Sequence, residues 1–197
     1  MTGISRRPWD AASCLCVALA ACGGRSGHKG VEPSPVRVIP LASAIVLETA
    51  GPPPADTTVT FTAGEPRIVV LRHGPPENVV FAEVTFAAKA FHADSGRPVE
   101  VEIRPRPGVY GLDLLTSVPF SEGASVVFKY PRYFSAPAKA RAVYGSDVLY
   151  ERALAIGQLL GTGQSVALLP STRPFSDNLQ AALPSPGTYL VAAPESP

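Results

Sequence analysis

Val99-Glu100-Val101-Glu102-Ile103 is the stretch that decides the fold class. In an extended chain successive side chains leave on opposite faces. Its three β-branched residues therefore fill one sheet face while the two carboxylates wet the other. Outward from it, Thr57 to Thr62, Arg67 to Leu71, Val79 to Phe86, Ser125 to Tyr130, Val166 to Leu169, Asn178 to Leu183 and Thr188 to Ala192 repeat the theme. Between them stand turn formers: Gly74-Pro75-Pro76, Asp94-Ser95-Gly96-Arg97-Pro98, Arg106-Pro107-Gly108 and Ser185-Pro186-Gly187. Short strands rich in Val, Thr and Phe at this spacing predict an all-β fold. The expected architecture is an antiparallel β-sandwich, Ig-like or of a related Greek-key topology, over residues 36–197.

The composition agrees. The chain has 197 residues with 22 Pro and 17 Gly, and 46% of it is hydrophobic. Pro removes a helix donor and Gly costs about 1 kcal/mol relative to Ala in a helix, so long helices are disfavoured. A domain of this size buries about 70% of its unfolded surface, enough to stand without a disulfide. Two segments are ambiguous. Leu149, Ala153, Ile156 and Leu160 fit a helical stripe, yet Gly145, Gly157, Gly161 and Gly163 crowd it, and strands ending in a Gly turn are expected over Val148 to Leu160. Leu41 to Glu48 is also read as a strand.

The three cysteines, Cys14, Cys16 and Cys22, all lie near the N-terminus. Around them run a basic start at Arg6 and Arg7, an apolar stretch from Ala11 to Ala21, then Cys22-Gly23-Gly24. Eleven helical residues span about 17 Å, short of a hydrocarbon core of about 30 Å, so this is read as a signal peptide over 1–21, not a membrane span. Leu19-Ala20-Ala21-Cys22 resembles the lipobox of bacterial lipoprotein precursors. That resemblance implies cleavage before Cys22, lipidation of its sulfur, and a membrane anchor in the cell envelope on the extracytoplasmic side. Gly23 in place of an Asp implies the outer membrane if the source has two. Ser5-Arg6-Arg7-Pro8-Trp9 looks somewhat like a twin-arginine motif, so the export route stays open. Residues 22–35, almost devoid of large apolar side chains, read as the lipidated Cys followed by a flexible tether reaching about 20 Å.

Charge narrows the partners. The chain carries 17 Lys and Arg against 16 Asp and Glu, a formal +1. Leaving out Arg6, Arg7 and Asp10 of the signal balances the two signs, so nucleic acid is not an expected partner. The membrane, reached through the lipid on Cys22, is expected, with an envelope protein or a carbohydrate as ligand.

Across Val79 to Ala193 the order of features is similar to bacterial relatives of the β-sandwich module found in ankyrins and netrin receptors. The residues that carry the likeness are Val84-Thr85-Phe86-Ala87-Ala88-Lys89-Ala90-Phe91, Val99 to Ile103, Tyr110-Gly111-Leu112-Asp113-Leu114 and Pro186-Gly187-Thr188-Tyr189-Leu190-Val191. Some eukaryotic members cut themselves at His-Phe-Ser. Pro174-Phe175-Ser176 lacks that His, so self-cleavage is not implied.

Few groups offer chemistry. With His28 in the tether, His73 and His92 are the bases left for a catalytic triad. Ser146 lacks a Gly-x-Ser-x-Gly setting and reads as a turn serine. His92-Ala93-Asp94 has no third metal ligand in view and reads as a solvated turn. Glu100 and Glu102 read as the wet face of a sheet matched by Arg104 and Arg106. Neither a cofactor nor a metal is expected. In Phe128-Lys129-Tyr130-Pro131-Arg132-Tyr133-Phe134, four aromatics with two cations suit a stacking platform, and Tyr130, Arg132, Tyr133 and Phe134 are the candidate ligand-binding residues. The same spacing also suits Phe128 and Tyr130 in the core. The expected function is a non-catalytic binding or structural module; the alternative is an extracytoplasmic hydrolase or carbohydrate-active enzyme with a site near His73 or His92.

Overall fold

A computed structural model describes residues 35–120, 122–130 and 136–196. The signal peptide, Cys22 and nearly all of the tether lie outside those residues, as do Arg132, Tyr133 and Phe134. The order of elements is β1 (Arg37–Pro40), a 3-10 turn (Leu41–Ser43), β2 (Ala44–Val46), β3 (Thr57–Thr62), β4 (Arg67–Arg72), β5 (Val80–Phe86), β6 (Pro98–Pro105), β7 (Gly111–Thr116) and β8 (Ala124–Lys129). Two helices follow, α1 (Ala138–Tyr144) and α2 (Asp147–Ala153). The chain ends with β9 (Ala155–Leu160), β10 (Ser165–Leu168), β11 (Ser171–Thr172), β12 (Asn178–Leu183) and β13 (Gly187–Pro194).

These strands build the antiparallel sandwich that the period of two predicts. The larger sheet runs β1-β10-β9-β13-β7-β6-β3, with β2 also paired to β13, and the smaller runs β11-β12-β8-β5-β4. Neighbours such as β5 and β8, or β7 and β13, are remote in sequence, because the chain passes repeatedly from one sheet to the other. In β6, Val99, Val101 and Ile103 are fully buried and the glutamates between them face outward. β8 obeys the same rule with Ala124, Val126 and Phe128 inward.

Aromatic rings tie the two sheets together. Phe86 of the smaller sheet lies 5.9 Å from Phe61 of the larger, 5.1 Å from Phe91 and 5.8 Å from Phe120, measured between ring centroids. Nearer the middle, Phe81 stacks on Tyr110 at 5.5 Å and meets Phe128 edge-on at 5.7 Å. Such offset and edge-to-face pairs add about 0.5–1.5 kcal/mol each beyond the area they bury.

The larger sheet has a second, smaller core. Val191 and Ala193 point into the main core while Ala192, between them, joins Ile39, Ala44, Val166 and Leu168 in a separate cluster. Since β1 pairs with β10 and β2 with β13, the 3-10 turn carries the chain over this face and Leu41 packs on the cluster. One glycine is fixed by close approach. A Cβ at Gly111 would fall 2.8 Å from the carbonyl oxygen of Tyr189 and 2.6 Å from Leu190 Cδ2, so the β7–β13 pairing tolerates no side chain there.

Two segments depart from the sequence expectation. Val148 to Leu160 is helix followed by strand, α2 then β9, so the helical stripe holds only for its first half. Gly145 does not break a strand there; at φ 73° it closes α1, and Ser146 then starts α2 by accepting the Leu149 N–H on its Oγ at 3.2 Å. These are the left-handed C-terminal glycine and the N-cap serine of ordinary helix punctuation. Leu41 to Glu48 contains a 3-10 turn before its short strand.

Phe86→Ala is expected to cost about 3–5 kcal/mol of unfolding free energy in urea titration. Ile68→Ala, on the outer side of edge strand β4, is expected to cost under about 0.5 kcal/mol in the same assay.

Candidate functional site

The candidate cluster begins at the end of β8, where Phe128 and then Tyr130 turn into the core. Tyr130 is only 3% exposed, and its hydroxyl donates to Glu151 Oε1 of α2 at 3.0 Å. A ring so covered presents no face to a ligand. Of the four candidate ligand-binding residues, Tyr130 is therefore a latch between sheet and helix, and Arg132, Tyr133 and Phe134 are the part of the motif outside the described residues. Arg173 completes the latch: its Nη2 donates to the carbonyls of Glu151 and Leu154, at 2.5 and 2.8 Å. Burial pushes the Tyr130 phenol up to about 12, helped by the neighbouring Glu151 charge and opposed by Arg173. At neutral pH it stays a donor, which is what the carboxylate requires.

The same device recurs. The Tyr150 hydroxyl donates to the carbonyl of Ile45 at 3.3 Å, and that of Tyr144 to the carbonyl of Pro194. Their rings meet at 5.7 Å, which fixes the α1–α2 hairpin onto β2 and β13. The Tyr189 hydroxyl donates to the carbonyl of Ser185, whose Oγ accepts from buried Gln158 at 2.9 Å. Burial raises the Tyr150 phenol strongly and the Tyr189 phenol to about 12. Each tyrosine places an apolar body in the core and a polar tip on a specific acceptor.

The residues weighed for catalysis are placed as follows. Ser146 caps α2. His73 is half-buried, its ring edge-on to Phe81 at 5.4 Å. His92 is exposed in a turn, its backbone N–H donating to the carbonyl of Pro119. Among the described residues no three His, Cys, Asp or Glu stand together as a metal-binding group. Glu100 and Glu102 do share the outer face of the larger sheet. With Leu115, Thr116 and Ser117 they line a shallow groove of about 210 Å³. Arg104 pairs with Glu102 at 2.6 Å, whereas Arg106 pairs across to Asp113 at 3.0 Å, where Thr188 Oγ1 also donates.

Comparison with family models, with curated proteins and with solved structures finds no match to this chain. No helix among the described residues is long and apolar enough to cross a membrane.

A phenol that loses its proton near pH 10 in the unfolded chain and near 12 in the folded one contributes its stability fully below pH 10, and that contribution is lost as pH rises through 12. Urea unfolding should therefore show stability falling steeply above pH 10. Tyr130→Phe should cost about 1–2 kcal/mol at pH 7, where the bond to Glu151 is lost, and should make the alkaline fall shallower. A fall as steep as that of the parent protein would contradict the assigned role.

Proposed function

We propose that this chain is a lipid-anchored protein of the bacterial cell envelope whose β-sandwich serves as a non-catalytic binding module. The observation that carries the proposal is the tetrapeptide Leu19-Ala20-Ala21-Cys22, placed after an apolar run and before a polar stretch that ends where the first strand begins at Arg37. Thioether-linked acyl chains, at about 0.8 kcal/mol per buried methylene, would hold the sandwich at a bilayer without help from its balanced charge. A binding role is supported by how reactive side chains are spent: Ser146 on a helix cap, Tyr130 on Glu151, Glu102 on Arg104. An envelope protein or a carbohydrate is the ligand class, and the likeness to the ankyrin and netrin-receptor module enters through the sandwich alone. If the source has two membranes, the outer one is the expected address.

Mass spectrometry of protein extracted from native membranes should find Cys22 as an acylated N-terminal residue. Cys22→Ala should abolish the acyl mass and, with no cysteine at that position for the processing step, leave residues 1–21 attached. An unmodified Cys22 in a chain still carrying Cys14 and Cys16 would overturn the proposal.

A further inference from the structure

Each sheet ends in edge strands whose outer backbone groups pair with no strand among the described residues. Three of these edges are short, Pro-ended or polar, which discourages pairing with another chain. β11 has two residues, β1 ends in Pro40, and β3 shows Thr58 and Thr60 to solvent. β4 is the exception: Ile68, Val69, Val70 and Leu71 run unbroken between Arg67 and Arg72. Val69 and Leu71 are buried in the core, whereas Ile68 is 61% and Val70 41% exposed on the outer face.

The backbone sets which groups are free. The His73 N–H donates to the carbonyl of Val79 at 2.9 Å, and in an antiparallel ladder the groups that face a neighbour recur at every second residue. Leu71 and Val69 therefore face β5, and Val70 and Ile68 turn N–H and C=O to the open side. The same two residues carry the exposed aliphatic side chains. A strand added here gains hydrogen bonds and apolar cover together.

Charge decides the occupant. Glu65 precedes the strand and Arg72 closes it; both are exposed, and among the described residues neither is in an ion pair. An edge that is acidic at one end and basic at the other is met with reversed signs by an antiparallel copy of itself, whereas a uniformly acidic strand would meet Glu65 with like charge. Arg67 does not oppose the match, because its guanidinium lies over the Phe61 ring at 5.4 Å, toward the larger sheet. A two-fold axis at Val69 sets Ile68 opposite Val70 of the second copy and brings Glu65 to the end that holds Arg72. An axis between Val69 and Val70 would instead set inward side chains against outward ones.

We propose that β4 pairs antiparallel with β4 of a second copy of this chain about a two-fold axis at Val69, joining two five-stranded sheets into one.

The full chain is studied reduced and in a nonionic detergent, so that neither its cysteines nor the apolar stretch Ala11 to Ala21 joins copies. Two six-residue strands make a small interface, so association is sought between about 10 µM and about 1 mM. Sedimentation equilibrium should show monomer passing to dimer over that range. Hydrogen exchange of the β4 amides should slow at least about fivefold at the higher concentration while that of the β3 amides stays unchanged. Val70→Pro removes one outward donor and leaves the bonds to β5 intact, so it should fold as a monomer and abolish both effects. Ile68→Lys serves the same purpose if the proline variant fails to fold. Glu65→Arg and Arg72→Glu should each weaken association about fivefold, and an equimolar mixture of the two should restore it, because each chain then meets its opposite. A monomer throughout, or a dimer that persists in both Val70→Pro and Ile68→Lys, overturns the proposal. Mass that keeps growing beyond two copies overturns it too, as does a mixture that stays as weak as its components. Slowing of the β4 amides that appears only when envelope extract is added to a monomeric chain gives the edge to a foreign strand and also overturns it.

Discussion

The structure depends on rings packed between two sheets. Phe61 and Phe86 approach from opposite sheets, Phe91 and Phe120 close around them, and Phe81 links Tyr110 to Phe128. With three cysteines confined to positions 14–22, no disulfide staples the sandwich, and burial of these rings is its main apolar support. Every strand that crosses the core must then keep its alternation, because a one-residue slip would turn its whole apolar set to water. The long β6 and β13 satisfy this in different ways. β6 alternates cleanly because only one of its faces is covered. β13 is buried along nearly its full length because its second face carries the small core under β1 and β2.

Tyrosine extends this packing to the parts that are not sheet. Two seven-residue helices are too short to hold their shape in water unaided. Here each is pinned by a ring and a hydroxyl, Tyr144 to Pro194 and Tyr150 to Ile45, while Tyr130 reaches Glu151 from β8. The hairpin is thereby part of the core on one side, with Val148, Leu149 and Arg152 exposed on the other.

Much of the sheet was legible in the sequence. Thr57–Thr62 and Asn178–Leu183 are strands over the span their alternation marks, since one face is wet and the pattern records it. Fully buried or very short segments left no such record. β1 contributes just Ile39 to a core, and α1 is an Ala-rich helix of about two turns whose closing Gly145 stands, in the sequence, among the glycines that crowd the next segment. Ser146, which reads as a turn serine, is the N-cap of α2. Of the candidate site, the sequence marked Tyr130 but left open whether its ring faced a ligand or the core, because alternation places both Phe128 and Tyr130 inward only if the strand keeps its register to the end. Glu151 and Arg173, remote in sequence, carried no signal of their meeting.

A double-mutant cycle across the two sheets measures this ring packing. Phe61→Leu, Phe86→Leu and the double variant are compared by urea unfolding at neutral pH. The expected coupling is about 0.5–1.5 kcal/mol, with the double variant losing less than the sum of the singles. Losses that add within about 0.3 kcal/mol would contradict it.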